Sequence, residues 1–320
     1  MSPPHTPRLI VLTGGTGFVG RTVCARLAAR WPGVRLRVPT RRPAAARALA
    51  ALPGVELVAA DVHDPAQALR LLDGADALVH LVAILHGDAT AFERTHVTLV
   101  RHWAQAAAQR PALRRVVHVS ALGVSPDGPS LYLRSKAAGE RIWRETLTAS
   151  GQPPALALLR PSVIFGTEDR FTNLFARLQR LAPVLPLAGA DARFQPVAVG
   201  DVAEAVVRTL AAPPAADPVV ECAGPEVLTL RQIVQRVGTL AGSARPVIGL
   251  PEAAGRLQAS ALGLLPGEPL MSVDNLLSMR VPNVASGRHP GLDSLGIAAA
   301  GLDSLAGHFA PRGHGATPRS

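Results

Sequence analysis

Apolar positions in the first half of this chain switch between two periods. Short apolar or alternating runs at Leu9–Leu12, Val34–Val38, Val55–Val58, Ala77–Val82, Arg115–Val119 and Ala157–Leu159 read as strands. Between them, Phe18–Trp31, Pro65–Leu72, Ala91–Gln109 and Tyr132–Thr148 carry apolar residues at helical spacing. Strands that alternate with helices predict right-handed βαβ units and a parallel sheet covered on both faces. After Phe165 the rhythm loosens. Helices are predicted at Phe171–Leu181, Asp201–Leu210, Thr229–Leu240 with Thr229 as N-cap, and Ala253–Leu265, and Gln195–Val199 reads as a strand. The expected architecture is α/β: a doubly wound parallel sheet with a smaller C-terminal mixed α/β lobe. Residues 1–165 form the large domain, to which 193–212 return. Residues 166–192 and 213–310 form the small lobe, and 311–320 a frayed tail.

Composition narrows the class. With 320 residues, 48% of them hydrophobic and 18% charged, the chain has material for a large core and is not disordered. Its two cysteines, Cys24 and Cys222, are too far apart in sequence for a metal cluster or a disulfide framework, which suits a reducing compartment. The apolar run near the N-terminus is too short for a signal peptide. No uninterrupted apolar stretch reaches the roughly 18 residues of a spanning helix. A cytoplasmic protein is expected, or one peripheral on the inner face of a membrane. The net charge of +10 comes from dispersed arginines, and aromatics are only 3%, so neither a stacking platform nor a nucleic-acid recognition motif is present. His80, His86, His96, His102 and His118 have irregular spacing and no ligand partners in pattern, so structural, hydrogen-bonded histidines are expected and no metal site.

Two stretches carry candidate chemistry. Gly14, Gly17 and Gly20 are spaced G-x-x-G-x-x-G between the first strand and the first helix, where a tight turn lets backbone approach a pyrophosphate at the helix N-terminus. This strand–loop–helix context predicts a Rossmann-type dinucleotide site. Sites for NAD place an acid about 20 residues further on, against the ribose. This chain has Arg41 and Arg42 there and no acid before Glu56, which favours a 2′-phosphate and hence NADPH over NADH. Asp61 and Val62 border the adenine in this reading, although Asp61 also reads as a loop cap. Leu81, Val82 and Ala83 end the fourth strand against the cofactor ribose. The second stretch holds the only tyrosine and the only lysine of the chain, Tyr132 and Lys136. Four residues apart on a helix they share a face, and the cation is expected to lower the tyrosine pKa toward working range. The alternative is an ordinary solvated helix face. Ser120, at the end of the fifth strand, is placed either to orient a carbonyl oxygen or to cap the strand.

These residues resemble an extended short-chain dehydrogenase/reductase. The blocks VSALG (119–123), YLRSKAAGE (132–140), LRPSVIFG (159–166) and RFQPV (193–197) are similar to the atypical members, those like the nucleotide-binding accessory subunit of respiratory complex I. The similarity runs from about Leu9 to about Val281. It implies that Thr16, Gly17, Phe18 and Val19 hold the pyrophosphate and that Arg41 and Arg42 hold the 2′-phosphate. It implies that Tyr132 and Lys136 face the nicotinamide ribose, with Pro161 and Val163 along the nicotinamide. The fourth strand departs from the family pattern, ending in His80-Leu81-Val82-Ala83 where most members have an asparagine and a glycine.

Three functions follow. The first is an oxidoreductase moving hydride between NADPH and a carbonyl or quinone-like small molecule linked to respiratory or ubiquinone metabolism, with Tyr132 as acid/base, Lys136 beside it and Ser120 on the oxygen. The second, implied by the resemblance, is a non-catalytic protein that keeps NADPH and docks on a membrane respiratory or quinone-synthesis complex. The third is a nucleotide-sugar epimerase or dehydratase, for which no sequence feature speaks. The Ala253–Leu265 helix reads either as a quinone or membrane surface or as small-lobe core.

Overall fold

In a computed structural model, the structure describes residues 6–251, 253–255, 257–258 and 271–309. Six strands follow the predicted rhythm: β1 (Leu9–Thr13), β2 (Arg35–Thr40), β3 (Val55–Ala59), β4 (Ala77–His80), β5 (Arg115–Val119) and β6 (Ala155–Pro161). Short strands come next, β7 (Ile164–Phe165), β8 (Leu185–Ala188), β9 (Arg193–Phe194) and β10 (Val197–Ala198), then β11 (Val219–Cys222), β12 (Leu228–Thr229) and β13 (Val247–Leu250). The large sheet is parallel throughout and ordered β11-β6-β5-β4-β1-β2-β3. Strand order reverses between β1 and β4, and the crevice beyond the carboxyl ends of such a pair is where ligands bind in doubly wound sheets.

The strands read as apolar runs because both faces are covered. On one face, Ile10, Leu12, Leu36 and Val38 pack with helices α1 (Phe18–Arg30) and α6 (Val199–Ala211). On the other, Val11, Leu78 and Val116 pack with α2 (Pro65–Leu71), α3 (Leu99–Ala108) and α4 (Leu131–Thr148). A third cluster fills the small lobe, where α5 (Arg170–Leu181) lies against α7 (Leu230–Leu240). Thr229 caps α7 in a capping box with Gln232.

Several expectations change. β11 lies inside 213–310, the stretch assigned to the small lobe, yet it joins the large sheet as its seventh strand beside β6. Of Gln195–Val199, expected as one strand, only Val197–Ala198 is strand (β10): Gln195 and Pro196, which has no N–H for a ladder, separate it from β9, and Val199 already opens α6. Ala91–Gln109 is not one α-helix: a turn at Ala89–Phe92 passes into a π-helical stretch, Glu93–Thr98, before α3. The Ala253–Leu265 helix falls largely, and the 311–320 tail wholly, outside the described residues.

Candidate active site

The glycine loop is built by close approach. Gly14 sits at φ +74°, and a Cβ there would lie 3.1 Å from the Leu81 carbonyl carbon across the β1/β4 crevice. A Cβ on Gly20 would lie 2.3 Å from the Gly14 oxygen, so the first turn of α1 rests directly on the loop. Gly17 is the N-cap of α1 and brings no side chain, and the first helical turn holds no acid. The backbone donors of that turn and the helix dipole are therefore set for an anion. Thr16, Phe18 and Val19 are half-buried around this start, and the Phe18 ring lies against Gly166, beyond β7.

Arg41 and Arg42 follow β2 and are exposed. Glu56, the first acid after them, is taken up by Arg35, with Nε to Oε1 at 2.7 Å. The Asp61 carboxylate accepts from the His63 N–H at 3.0 Å, and the Val62 carbonyl accepts from the Trp103 indole at 3.0 Å. β4 ends at His80, so Leu81, Val82 and Ala83 form a loop rather than strand. The Leu81 N–H still bonds the Thr13 carbonyl at 3.1 Å, which holds this loop against the glycine turn.

Lys136 is wholly buried and its ammonium donates to the Val119 carbonyl at 2.8 Å, the residue before Ser120. Ser120 ties its N–H to Leu159 at 2.7 Å, while its buried hydroxyl has no protein partner. Tyr132 starts the helix one turn before Lys136, with its ring edge-on to Phe92 and His96 at 6.3 and 5.7 Å between centroids. The expectation that Lys136 lowers the Tyr132 pKa fails in this state. Burial dominates both groups, pushing the phenol up to about 12 and the ammonium down to about 8. Pro161 ends β6, and Val163 gives its N–H to the Asn283 side chain at 2.9 Å.

Three groups shape this region: His96, expected as a hydrogen-bonded structural histidine, and two that sequence reasoning passed over, Asn283 and Asp274. His96 accepts the Ile84 N–H on Nε2 at 3.1 Å, which leaves Nδ1 to donate to Ser135 at 2.9 Å, and Ser135 in turn donates to the Tyr132 carbonyl. Asn283 bridges Ser162, Val163 and Gln195. Asp274, on α8 (Val273–Ser278), accepts from the N–H groups of Leu131 and Tyr132. The capping-box pattern Ser272-x-x-Asn275 was the one signal that pointed to α8.

The histidines are only partly as expected. His96 is satisfied, His80 bonds Thr13 through Nδ1 at 2.8 Å but leaves Nε2 unpartnered, and both nitrogens of buried His118 lack a protein partner. Among the described residues no group of three His, Cys, Asp or Glu is arranged for a metal. A cavity of about 510 Å³ opens at the carboxyl ends of the parallel pair β8/β13, between them and α8. Ala188, Leu250, Pro251, Leu276, Leu277 and Met279 line it, with Arg231 and Arg280 among the polar residues. Ser120, Tyr132 and Lys136 are not in its wall; α8 separates it from the Tyr132 helix.

Residues 10–223 match the NAD dependent epimerase/dehydratase family, about two thirds of the chain. The chain belongs to that family. Relatives include the NADH dehydrogenase [ubiquinone] 1 alpha subcomplex subunit 9 of Mus musculus, 29% identical over 290 residues, covering 89% of this chain and 74% of the relative. The Dictyostelium discoideum protein of the same name is 28% identical over 232 residues, 70% of this chain, and only 61% of its own length is matched. A ceramide reductase of Caulobacter vibrioides is 32% identical over 200 residues, 62% of this chain and 60% of the relative. Among solved structures, the UDP-glucuronic acid 4-epimerase of Bacillus cereus, in complex with UDP-glucuronic acid and NAD, superposes with a TM-score of 0.65 at 16% identity, over 91% of this chain and 97% of that one. At that identity the likeness shows the fold alone, a Rossmann-type parallel sheet.

Proposed function

We propose that this chain is an NADPH-dependent reductase of a ketone or quinone-like carbonyl carried on an apolar molecule. One observation carries the reading: a buried lysine ammonium and an unpartnered buried serine hydroxyl meet at one strand end, one helical turn from the only tyrosine. An unsatisfied buried hydroxyl costs stability and is retained where a ligand supplies its partner. The ceramide reductase relative, and a 4-hydroxy-2-methyl-3-oxo-4-farnesyl-3,4-dihydroquinoline-1-oxide ketoreductase of Stigmatella aurantiaca at 30% identity over 176 residues, are both named for reductions on apolar-chained molecules.

The glycine cradle and the open start of α1 fit a pyrophosphate, and Arg41 with Arg42 fit a 2′-phosphate. NADPH held there would supply the hydride for the carbonyl carbon. Ser120 donates a hydrogen bond to the carbonyl oxygen and so fixes its direction. Tyr132 gives its phenolic proton to that oxygen as negative charge develops there, and Lys136, whose ammonium holds the Val119 carbonyl, fixes the strand end that carries Ser120. Solvent then returns the proton to Tyr132. With its phenol pushed up to about 12 by burial, Tyr132 stands protonated at neutral pH and enters as the proton donor in the reducing direction.

Tyr132→Phe is expected to keep NADPH affinity and to lose turnover on quinones and long-chain ketones by at least ~100-fold. Retained turnover would remove Tyr132 from the chemistry. Replacing Arg41 and Arg42 together by alanine is expected to lower the NADPH-over-NADH affinity ratio at least tenfold, read by fluorescence titration. The likeness to complex I subunits supports a second reading, NADPH held as a permanent ligand. Exchange of bound NADPH against excess unlabelled nucleotide separates the two: seconds for a reductase, hours for a holder.

A further inference from the structure

Resting on the reductase reading, we infer that Asp274 is a positioning residue for Tyr132, a carboxylate from the far end of the chain that sets where the phenol stands. Its Oδ1 accepts the Leu131 N–H at 2.7 Å and its Oδ2 accepts the Tyr132 N–H at 3.1 Å. Ser130 takes the next donor, the Leu133 N–H, at 3.1 Å, and Ser278 donates to Ser130 at 2.8 Å. The first turn of α4 is thus closed by groups from two regions 142 and more residues apart in sequence. A local N-cap alone would leave two of these donors without a protein acceptor. A two-oxygen carboxylate across successive N–H groups fixes both the height and the rotation of the helix start, and Tyr132 is its second residue.

The clamp is itself held. Ser272 and Asn275 form a capping box that starts α8, which puts Asp274 in that helix's first turn. Asn275 also reaches the Leu85 carbonyl at 3.3 Å, so α8 grips the loop after β4 as well as α4. α8 also walls the 510 Å³ cavity, through Leu276 and Leu277. Gly189 closes up against Met279, where a Cβ would lie 2.7 Å from the sulfur.

The test uses the full chain with NADPH and compares Asp274→Asn and Asp274→Ala with Thr229→Ala, which removes the N-cap of α7 and touches neither α8 nor α4. The expected result for the Asp274 variants is a fall in kcat of about 10- to 100-fold with KM and NADPH affinity within twofold, larger for alanine than for asparagine, which keeps one acceptor. Thr229→Ala is expected to lower the thermal midpoint while leaving kcat within twofold. Because Tyr132 is the only tyrosine, a ring-labelled tyrosine gives one NMR signal, and that signal is expected to move in both Asp274 variants and to stay in Thr229→Ala. Unchanged kcat with an unmoved signal in folded Asp274→Asn overturns the inference. If the wild-type chain turns over no carbonyl, the reductase reading fails by itself, and the tyrosine signal alone decides the clamp.

Discussion

Ser120 separates chemistry from stability within a single residue. Its hydroxyl is buried and unpartnered, so deleting it removes a polar group that the fold does not satisfy. Ser120→Ala is therefore expected to keep or slightly raise the thermal midpoint while kcat falls about 100-fold, the size of losing one donor to a developing oxyanion. A serine that merely capped the strand would give the reverse: lost stability and intact turnover. Stability gained together with activity lost is the usual mark of a group retained for a ligand. At this scale the identities were legible and the energetics were not. Tyr132 and Lys136 stood out because each occurs once and their spacing puts them on one helix face. That burial governs both groups is a tertiary fact, set by how α4 packs against α3, the π-helical stretch and β6.

The elements around the site are held by close backbone approach as much as by side chains. Gly139 on α4 faces the π-helical stretch, and a Cβ there would lie 2.6 Å from the His96 carbonyl oxygen. Neither backbone can yield cheaply. Gly139→Ala is expected to destabilise by ~1–3 kcal/mol, although alanine is the better helix former. Chemical denaturation checks this, with a lower midpoint at unchanged slope. An equal or higher midpoint would show that the two segments are free to part. β5 was legible to the residue, because a buried parallel strand is a continuous apolar run with clear ends. β11 was missed as a sheet member. Val219–Cys222 looks the same whether it joins the large sheet or the small lobe, and only the pairing of Val219 with Leu158 decides. The π-helical stretch kept the apolar spacing of an ordinary helix, so periodicity hid it. Asp274 was invisible for a plainer reason: its partners lie more than 140 residues away, beyond any local pattern.

Across the whole molecule, buried histidines set how the fold meets acid. His80, His96 and His118 come from β4, the π-helical stretch and β5, and burial holds all three well below the ordinary imidazole pKa. His80 is brought down to about 3 and His96 to about 2, and the Lys136 charge pushes each of the three further in that direction. In the unfolded chain each titrates near 6.5. Between 6.5 and about 3 the unfolded state therefore binds protons that the native state refuses, and stability falls as pH drops through that window. Above 6.5 these histidines are neutral in both states and contribute no slope. Loss of paired carboxylates such as Asp217, whose pKa is lowered with His289 beside it, belongs to a lower range, below the unfolded carboxylate value of about 4. The onset near 6.5 is thus the signature of the histidines. His118 is the residue to change, since neither of its nitrogens has a protein partner and an apolar replacement leaves none orphaned. His118→Leu is expected to flatten, without abolishing, the fall in urea midpoint between pH 7 and 5, since His80 and His96, with His63 and His86 that burial also lowers, keep the rest of the slope. Superimposable pH profiles for wild type and His118→Leu would mean that His118 is charged, or hydrated, inside the native fold.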